Sequence, residues 1–247
     1  MTEENEIRRY NDGVFTWEKA VLADECRVDI HLNGCRLASV MASPTRLDEL
    51  ALGFLFGEGL VDGPEDVVAL EVEDLTVRIE TRGRARARRE TATLADLEDE
   101  AEAIFAPPAP PMDAARILAY MGEFNTRSHL FRQTGAVHSC CLINGDRRFF
   151  ADDVGRHNAL DKVIGQYLAA GRLSGPVLVL TTGRISVEIL LKSVKAGAAL
   201  LISRGAATDR AVELARRLNL VLIGFARETG FNVYHGGERL IDAPARD

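Results

Sequence analysis

Pro176 to Ala226, PVLVLTTGRISVEILLKSVKAGAALLISRGAATDRAVELARRLNLVLIGFA, decides the fold. Its three short apolar runs, PVLVLTT, ALLIS and LVLIGFA, are hydrophobic at successive positions rather than at alternate ones, the pattern of strands buried on both faces. Between them lie two helical patterns: ISVEILLKSVKAGA, with Val187, Leu190, Leu191 and Val194 inward, and TDRAVELARRLN, with Thr208 placed to cap it. Strands joined by single helices imply a parallel sheet covered on both sides and wound with right-handed crossovers. Ligands of such sheets gather beyond the carboxyl ends of the strands. Here those ends are TTGR (181–184), SRGAAT (203–208) and FARETG (225–230), three polar, glycine-bearing loops expected to converge on one crevice.

Upstream, Ala151 to Gly171 (ADDVGRHNALDKVIGQYLAAG) combines a helical apolar face, Leu160, Val163, Ile164, Tyr167 and Leu168, with a polar entry. Asn158 with Asp161 reads as a capping pair, and Gly171 closes the helix. Asp152, Asp153, Arg156 and His157 crowd the entry, where the free N–H groups of a helix start attract anions, and an arginine there suits phosphate or carboxylate. The alternative is that Asp153 and Asn158 cap while Arg156 pairs with a neighbouring carboxylate. Before this helix, 136–143 and 147–151 flank Asn144-Gly145 as a hairpin, and Ile117, Leu118, Met121 and Phe124 mark another helix.

The first half is β-rich. Val28, Ile30 and Leu32 alternate before Asn33-Gly34, and Cys35, Leu37 and Ser39 continue with period two, a hairpin. RLDELALGFLFGEG supplies a helix through Leu47, Leu50, Ala51 and Phe54, ended by Gly57 and Gly59. Val68, Leu70 and Val72, then Leu75, Val77 and Ile79, form a second hairpin beside the first. RGRARARRE follows, with Arg82, Arg84, Arg86, Arg88 and Arg89 as a solvated face or a strip for an acidic partner. An acidic helical stretch, Asp96 to Glu102, and the proline-rich APPAPPMD then place a boundary near residue 110, giving a β-rich domain over 1–110 and an α/β domain over 111–247. With the hairpin strands added, the sheet of the second domain is mixed and mostly parallel.

A chain of 247 residues, 47% hydrophobic and 27% charged, is long enough for a substantial core. Its net charge of -7 argues against nonspecific nucleic-acid binding. The first twenty residues are polar and lack a signal sequence, and the longest apolar runs fall far below the ~20 residues of a membrane span, so a cytoplasmic protein without membrane attachment is expected. Cys26, Cys35, Cys140 and Cys141 form no C-x-x-C pair, so reduced thiols and no zinc are expected. There is no P-loop and no G-x-G-x-x-G run.

MASPTRLDELALGFLFGEGLV, TGAVHS, DDVGRHNALDKVIG, GRISVEILLKSVKAG and LNLVLIGFARETGFNVY together resemble the formate dehydrogenase accessory sulfurtransferase family, in order from about Cys35 to Leu240. The resemblance implies a cytoplasmic homodimer with a cytidine-deaminase-like C-terminal domain. It implies transfer of persulfide sulfur from a cysteine desulfurase to the molybdenum (or tungsten) bis-guanine-dinucleotide cofactor, for formate dehydrogenase. It also implies that Phe225, Ala226, Arg227, Glu228, Thr229 and Gly230 bind that cofactor, joined by Arg156 and His157 from the helix entry.

The family's persulfide cysteine lies in a C-x-x-C loop between the domains, and the corresponding ETATLADLEDEAEAIFAPPAP contains no cysteine, which leaves the catalytic residue unassigned. Cys140 and Cys141, following His138, are the pair available to replace it, although vicinal thiols on a strand point to opposite faces and HSCCLI reads as a buried strand. A zinc deaminase would need a carboxylate two residues after its histidine and a second cysteine pair, and His138 has neither. Two functions follow: a working sulfur carrier, or a relative that binds or regulates without transferring sulfur.

Overall fold

A computed structural model describes residues 2–82, 104–171 and 174–241. Arg84, Arg86, Arg88 and Arg89 and the acidic stretch from Asp96 to Glu102 lie outside the described residues. Strands β1 (Thr2–Asn11) and β2 (Val14–Ala23) form a two-stranded ribbon. Its turn, Asp12-Gly13, has positive φ at both residues, as a two-residue hairpin requires.

A four-stranded sheet follows, built from β3 (Cys26–Leu32), β4 (Cys35–Ala42), β5 (Val67–Glu73) and β6 (Thr76–Thr81) in the order β4-β3-β6-β5. The helix α1 (Leu47–Gly57) lies between the two hairpins in sequence. Val28, Ile30, Val77 and Ile79 are buried, whereas Val68 and Val72 of the edge strand β5 face outward.

The larger part contains β7 (Met112–Asp113), α2 (Ala114–Arg127), α3 (His129–Thr134), β8 (His138–Asn144), β9 (Arg147–Asp153) and α4 (Arg156–Ala169). It continues with β10 (Val177–Thr181), α5 (Val187–Lys195), β11 (Ala198–Ser203), α6 (Asp209–Leu218), β12 (Val221–Gly224), β13 (Asn232–His235) and β14 (Leu240–Ile241). Its six-stranded sheet runs β13-β12-β11-β10-β8-β9, with β10, β11 and β12 parallel in the centre and β8, β9 and β13 antiparallel outside. The α/β class with a mixed sheet is as expected, but the parallel pairings are confined to the centre: three of the sheet's five are antiparallel, because the β8–β9 hairpin and β13 flank it. Because β10, β11 and β12 step across the sheet in one direction, crossovers of one hand put α5 and α6 on the same face. The opposite face is closed from upstream, by Ile117, Met121 and Phe124 of α2 against Cys141, Leu178, Leu180, Ile202 and Ile223. Among the described residues no helix is long and apolar enough to cross a membrane.

One buried cluster runs from Val28 to Leu222, across residue 110. Its centre is the crossing of α1 and α4, where glycine meets backbone. A Cβ at Gly53 would collide with the carbonyl of Asp161, and one at Gly165 with the carbonyl of Glu49. Two sunken cations tie the same region. Lys162 Nζ sits 2.6 Å from Asp153 and donates to Ser43 O at 3.0 Å. Lys192 Nζ reaches both oxygens of Asp161 at 2.9 Å. Burial pushes Asp161 up to about 6, while Lys192, penalised by the same burial, is held above its usual value by Asp161, Glu58 and Glu188.

The capping pair expected at Asn158 and Asp161 is not formed. The helix begins three residues earlier, with Gly155 rather than Asn158 as its N-cap. Asp153, deeper in the chain, collects the local donors instead: Gly155 N–H, Ser43 N–H and the Asn158 amide. That frees Asp161 for Lys192. Gly171, with φ of 73°, ends the helix as expected, and Thr208 caps α6 by accepting from Ala211 N–H.

Candidate functional site

Strands β10, β11 and β12 end on one edge, and their loops bond to one another rather than hanging separately. Arg204 N–H donates to Thr181 O at 3.0 Å, Phe225 N–H to Gly205 O at 2.9 Å and Ala226 N–H to Ser203 O at 2.9 Å. The Ser203 hydroxyl donates to Gly183 O at 2.6 Å and accepts from Gly205 N–H at 2.8 Å. Such close stacking needs glycine: a Cβ at Gly205 would lie 3.0 Å from Gly183 O, and one at Gly224 2.9 Å from Gly205 O. The three strand-end loops are thus one continuous layer.

Arg156 joins this layer from α4. Its aliphatic stem passes so close over Gly183 that a Cβ there would meet Arg156 Cβ at 2.9 Å. His157 turns to α5, with Nε2 3.3 Å from a Glu188 oxygen but not aligned to hydrogen-bond it. The 225–230 loop is attached from the far side. Arg227 N–H donates to Gly230 O at 2.8 Å, and its guanidinium donates to Arg204 O. Phe225, 45% exposed as a residue, sits at φ 51°, a conformation costly for a bulky residue and held by the backbone bonds on either side. Arg227, Glu228 and Thr229 are exposed and Gly230 half-buried, whereas Ala226 is buried in the core and offers a ligand nothing but backbone.

The layer carries one arginine per loop, Arg184, Arg204 and Arg227, with Arg156 beside them. Arg184 and Arg204 were visible in TTGR and SRGAAT only as loop residues; the signal was an arginine next to glycine at successive strand ends. From sequence, His138 stood out as a neighbour of cysteines and as a zinc-deaminase histidine lacking its partners. In the structure its Nδ1 lies 3.3 Å from Thr182 Oγ1, and that oxygen accepts from Ser139 N–H at 3.0 Å. Ser139 in turn donates to Asp152 at 2.6 Å, and Ser128 donates to the other oxygen of Asp152 at 2.8 Å. Asp152 and Asp153 are therefore occupied with holding the scaffold. Burial lowers the pKa of both His138 and His157, with Arg156 pushing each in the same direction.

The thiols lie elsewhere. Cys140 faces the α1 and α4 side of the sheet and Cys141 the α2 side, both buried. Burial pushes Cys140 well above the usual thiol range and Cys141 up to about 11. Neither is an ionised nucleophile near neutrality. Cys26 is half-buried and Cys35 exposed. Among the described residues no group of three or more His, Cys, Asp or Glu is placed to hold a metal ion.

The family model described as the FdhD/NarQ family matches residues 23–241. The chain belongs to this family. Its similarity to FdhD/NarQ proteins is not confined to the strand-end layer. It is 30% identical to a sulfur carrier protein FdhD of Listeria innocua, over 97% of this chain and 99% of that one. A sulfur carrier protein FdhD of Staphylococcus haemolyticus is 33% identical, with 95% of each chain covered. Among solved structures, a protein assigned as a formate dehydrogenase accessory protein from Desulfotalea psychrophila superposes with a TM-score of 0.80 at 28% identity, covering 97% of this chain and 99% of that one.

Proposed function

We propose that this chain serves the maturation of formate dehydrogenase, as a sulfur carrier that binds the molybdenum (or tungsten) bis-guanine-dinucleotide cofactor as its client. The observation that carries the binding step is the continuous layer of three strand-end loops, with an arginine in each and a fourth alongside. Guanidinium groups suit pyrophosphate, and the ring of the exposed Phe225 offers a stacking face for a purine. Phe225 to Gly230, with Arg156 and His157, are assigned to cofactor binding on this ground. Sulfur carriage is supported by relatives of that name matched over nearly their whole length. The protein works in this reading in the cytoplasm, as a homodimer with a cytidine-deaminase-like C-terminal half, receiving sulfur from a cysteine desulfurase. A thiolate of this chain attacks the outer sulfur of the donor's persulfide; the new S–S bond forms as the donor's thiolate leaves.

A second reading, a relative that binds the cofactor without carrying sulfur, is favoured by the thiols. The two on β8 are buried and un-ionised, and no cysteine occurs between Cys35 and Cys140. Incubation with a cysteine desulfurase and cysteine, followed by peptide mass spectrometry, separates the two. Sulfur carriage requires the mass of one added sulfur atom on a cysteine of this chain, Cys26 or Cys35 being the two that are not buried; its absence from all four leaves the binding role alone. Binding is tested by calorimetry with GDP. Arg227→Glu and Arg156→Glu should each weaken it by roughly 10- to 100-fold, the worth of a charge-assisted hydrogen bond. Unchanged affinity in both variants would remove the proposed site.

A further inference from the structure

We propose that His138, together with Arg156 and His157, forms an inner anion subsite that takes a phosphate group along with a proton. The inference rests on the nucleotide-binding reading above and assigns a role to His138, which lies across Gly183 from the 225–230 loop.

Three cation-capable side chains share this corner, and among the described residues His157 alone of them has a carboxylate within ion-pair distance. Arg156 Nε is buried and makes no hydrogen bond. His157 Nε2 is buried and equally unbonded, although Glu188 stands 3.3 Å away. Among the described residues no carboxylate lies within ion-pair distance of Arg156, Arg184, Arg204 or Arg227. The His138 ring is fixed rather than mobile, since Thr182 Oγ1, its partner, is itself held by Ser139 N–H.

The charges facing each imidazole come from several elements. His138 is under Arg156 from α4, opposed by Asp153 at the end of β9. His157 is under Arg156 on its own helix, Lys192 from α5 and His138 from β8, opposed by Glu188 of α5. Burial, with the like charges, lowers the pKa of both rings, against Asp153 at His138 and Glu188 at His157. A doubly charged phosphate entering between them reverses the balance, because each imidazolium then gains an opposite charge in a half-buried place. By linkage, a ligand that raises a group's pKa binds more tightly as pH falls, so nucleotide binding and proton uptake become one event. Arg156 supplies the constant part of the attraction and the histidines the pH-dependent part.

The test is calorimetry of GDP against the full chain, in two buffers of different ionisation enthalpy, from about pH 7 to about pH 8.5. In that range a terminal phosphate with a pKa of about 6 is already ionised and does not contribute. The expected result is a buffer-dependent enthalpy reporting net proton uptake, with affinity falling several-fold, up to about tenfold, per pH unit. His138→Gln should lose much of that slope, binding several-fold more weakly near pH 7 and close to wild type near pH 8.5. The wild-type proton count needs no variant and stands if the substitution impairs folding. GDP binding with a buffer-independent enthalpy and no pH slope would overturn the inner subsite while leaving the nucleotide reading intact. Failure to bind GDP at any pH would overturn the nucleotide reading, and this inference with it.

Discussion

Gly53→Ala on α1 is the sharpest test of how the two halves are joined. On an exposed helix the change would stabilise by about 1 kcal/mol, because glycine has the poorer helix propensity. Here the new methyl group would enter the space of the Asp161 carbonyl, which belongs to backbone and has no rotamer to escape into. Restoring ordinary van der Waals contact requires α1 and α4 to part by roughly an ångström or more. Overpacking of this kind costs about 1–3 kcal/mol. Lys192 packs on Gly57 at the end of α1 and stands 3.6 Å from Glu58 while binding Asp161 of α4, so separation also strains this cation's contacts, and breaking a buried pair costs up to about 3–5 kcal/mol. We expect a net loss of about 2–4 kcal/mol, read as a shift in the urea midpoint with little change in slope. Gly122→Ala on α2 is the internal control: nothing lies within 4 Å of its added Cβ, so the propensity gain should appear undiminished. If Gly53→Ala proved as stable as Gly122→Ala, the close crossing of α1 and α4 would be wrong.

Three further outcomes are expected. Lys192→Met leaves Asp161 buried without its cation and should cost about 3–5 kcal/mol near pH 8. With Lys192 pulling it down, burial still holds Asp161 up to about 6; losing that cation raises it further, so as pH falls from 8 the variant takes up the proton before the parent does, and the deficit should shrink markedly by pH 5, which urea titrations at both pH values check. Thiol labelling of the native protein should modify Cys35 quickly and leave Cys140 and Cys141 untouched until denaturant is added; fast labelling of either β8 cysteine would contradict its burial. The single tryptophan, Trp17, is 73% exposed on the ribbon, so iodide should quench its fluorescence nearly as well in the native as in the unfolded protein.

The central sheet was legible because fully buried parallel strands carry unbroken apolar runs, and 177–181, 198–203 and 221–224 are separated by helices with clear faces. The ribbon was not read, although Asn11-Asp12-Gly13 is a hairpin signal. β1 is mostly charged and polar and β2 mostly apolar, and neither alternates cleanly, because most of the side chains of both face water. The helix start at Arg156 was misplaced for a different reason. Asn158 looks like a cap by type, but the acceptor that organises the entry is Asp153, whose partners Ser43 and Lys162 come from positions no local window joins. At the candidate site, the strand-end loops were foreseeable from topology. The placement of His138 against Thr182 was not, since it depends on β8 lying antiparallel beside β10, a pairing of strands more than thirty residues apart. The burial of Cys140 and Cys141 on opposite faces followed from strand geometry alone.

The bare-backbone seam at Gly53 and Gly165, reinforced by ammonium groups sunk on both sides of it, has a mechanical meaning. It welds the four-stranded sheet to the helix that delivers Arg156, so a clamshell closure of one half upon the other has no pivot to turn on. Whatever accommodation a visiting molecule demands falls to guanidinium and imidazole rotations along the strand-end rim, over a chassis that stays put.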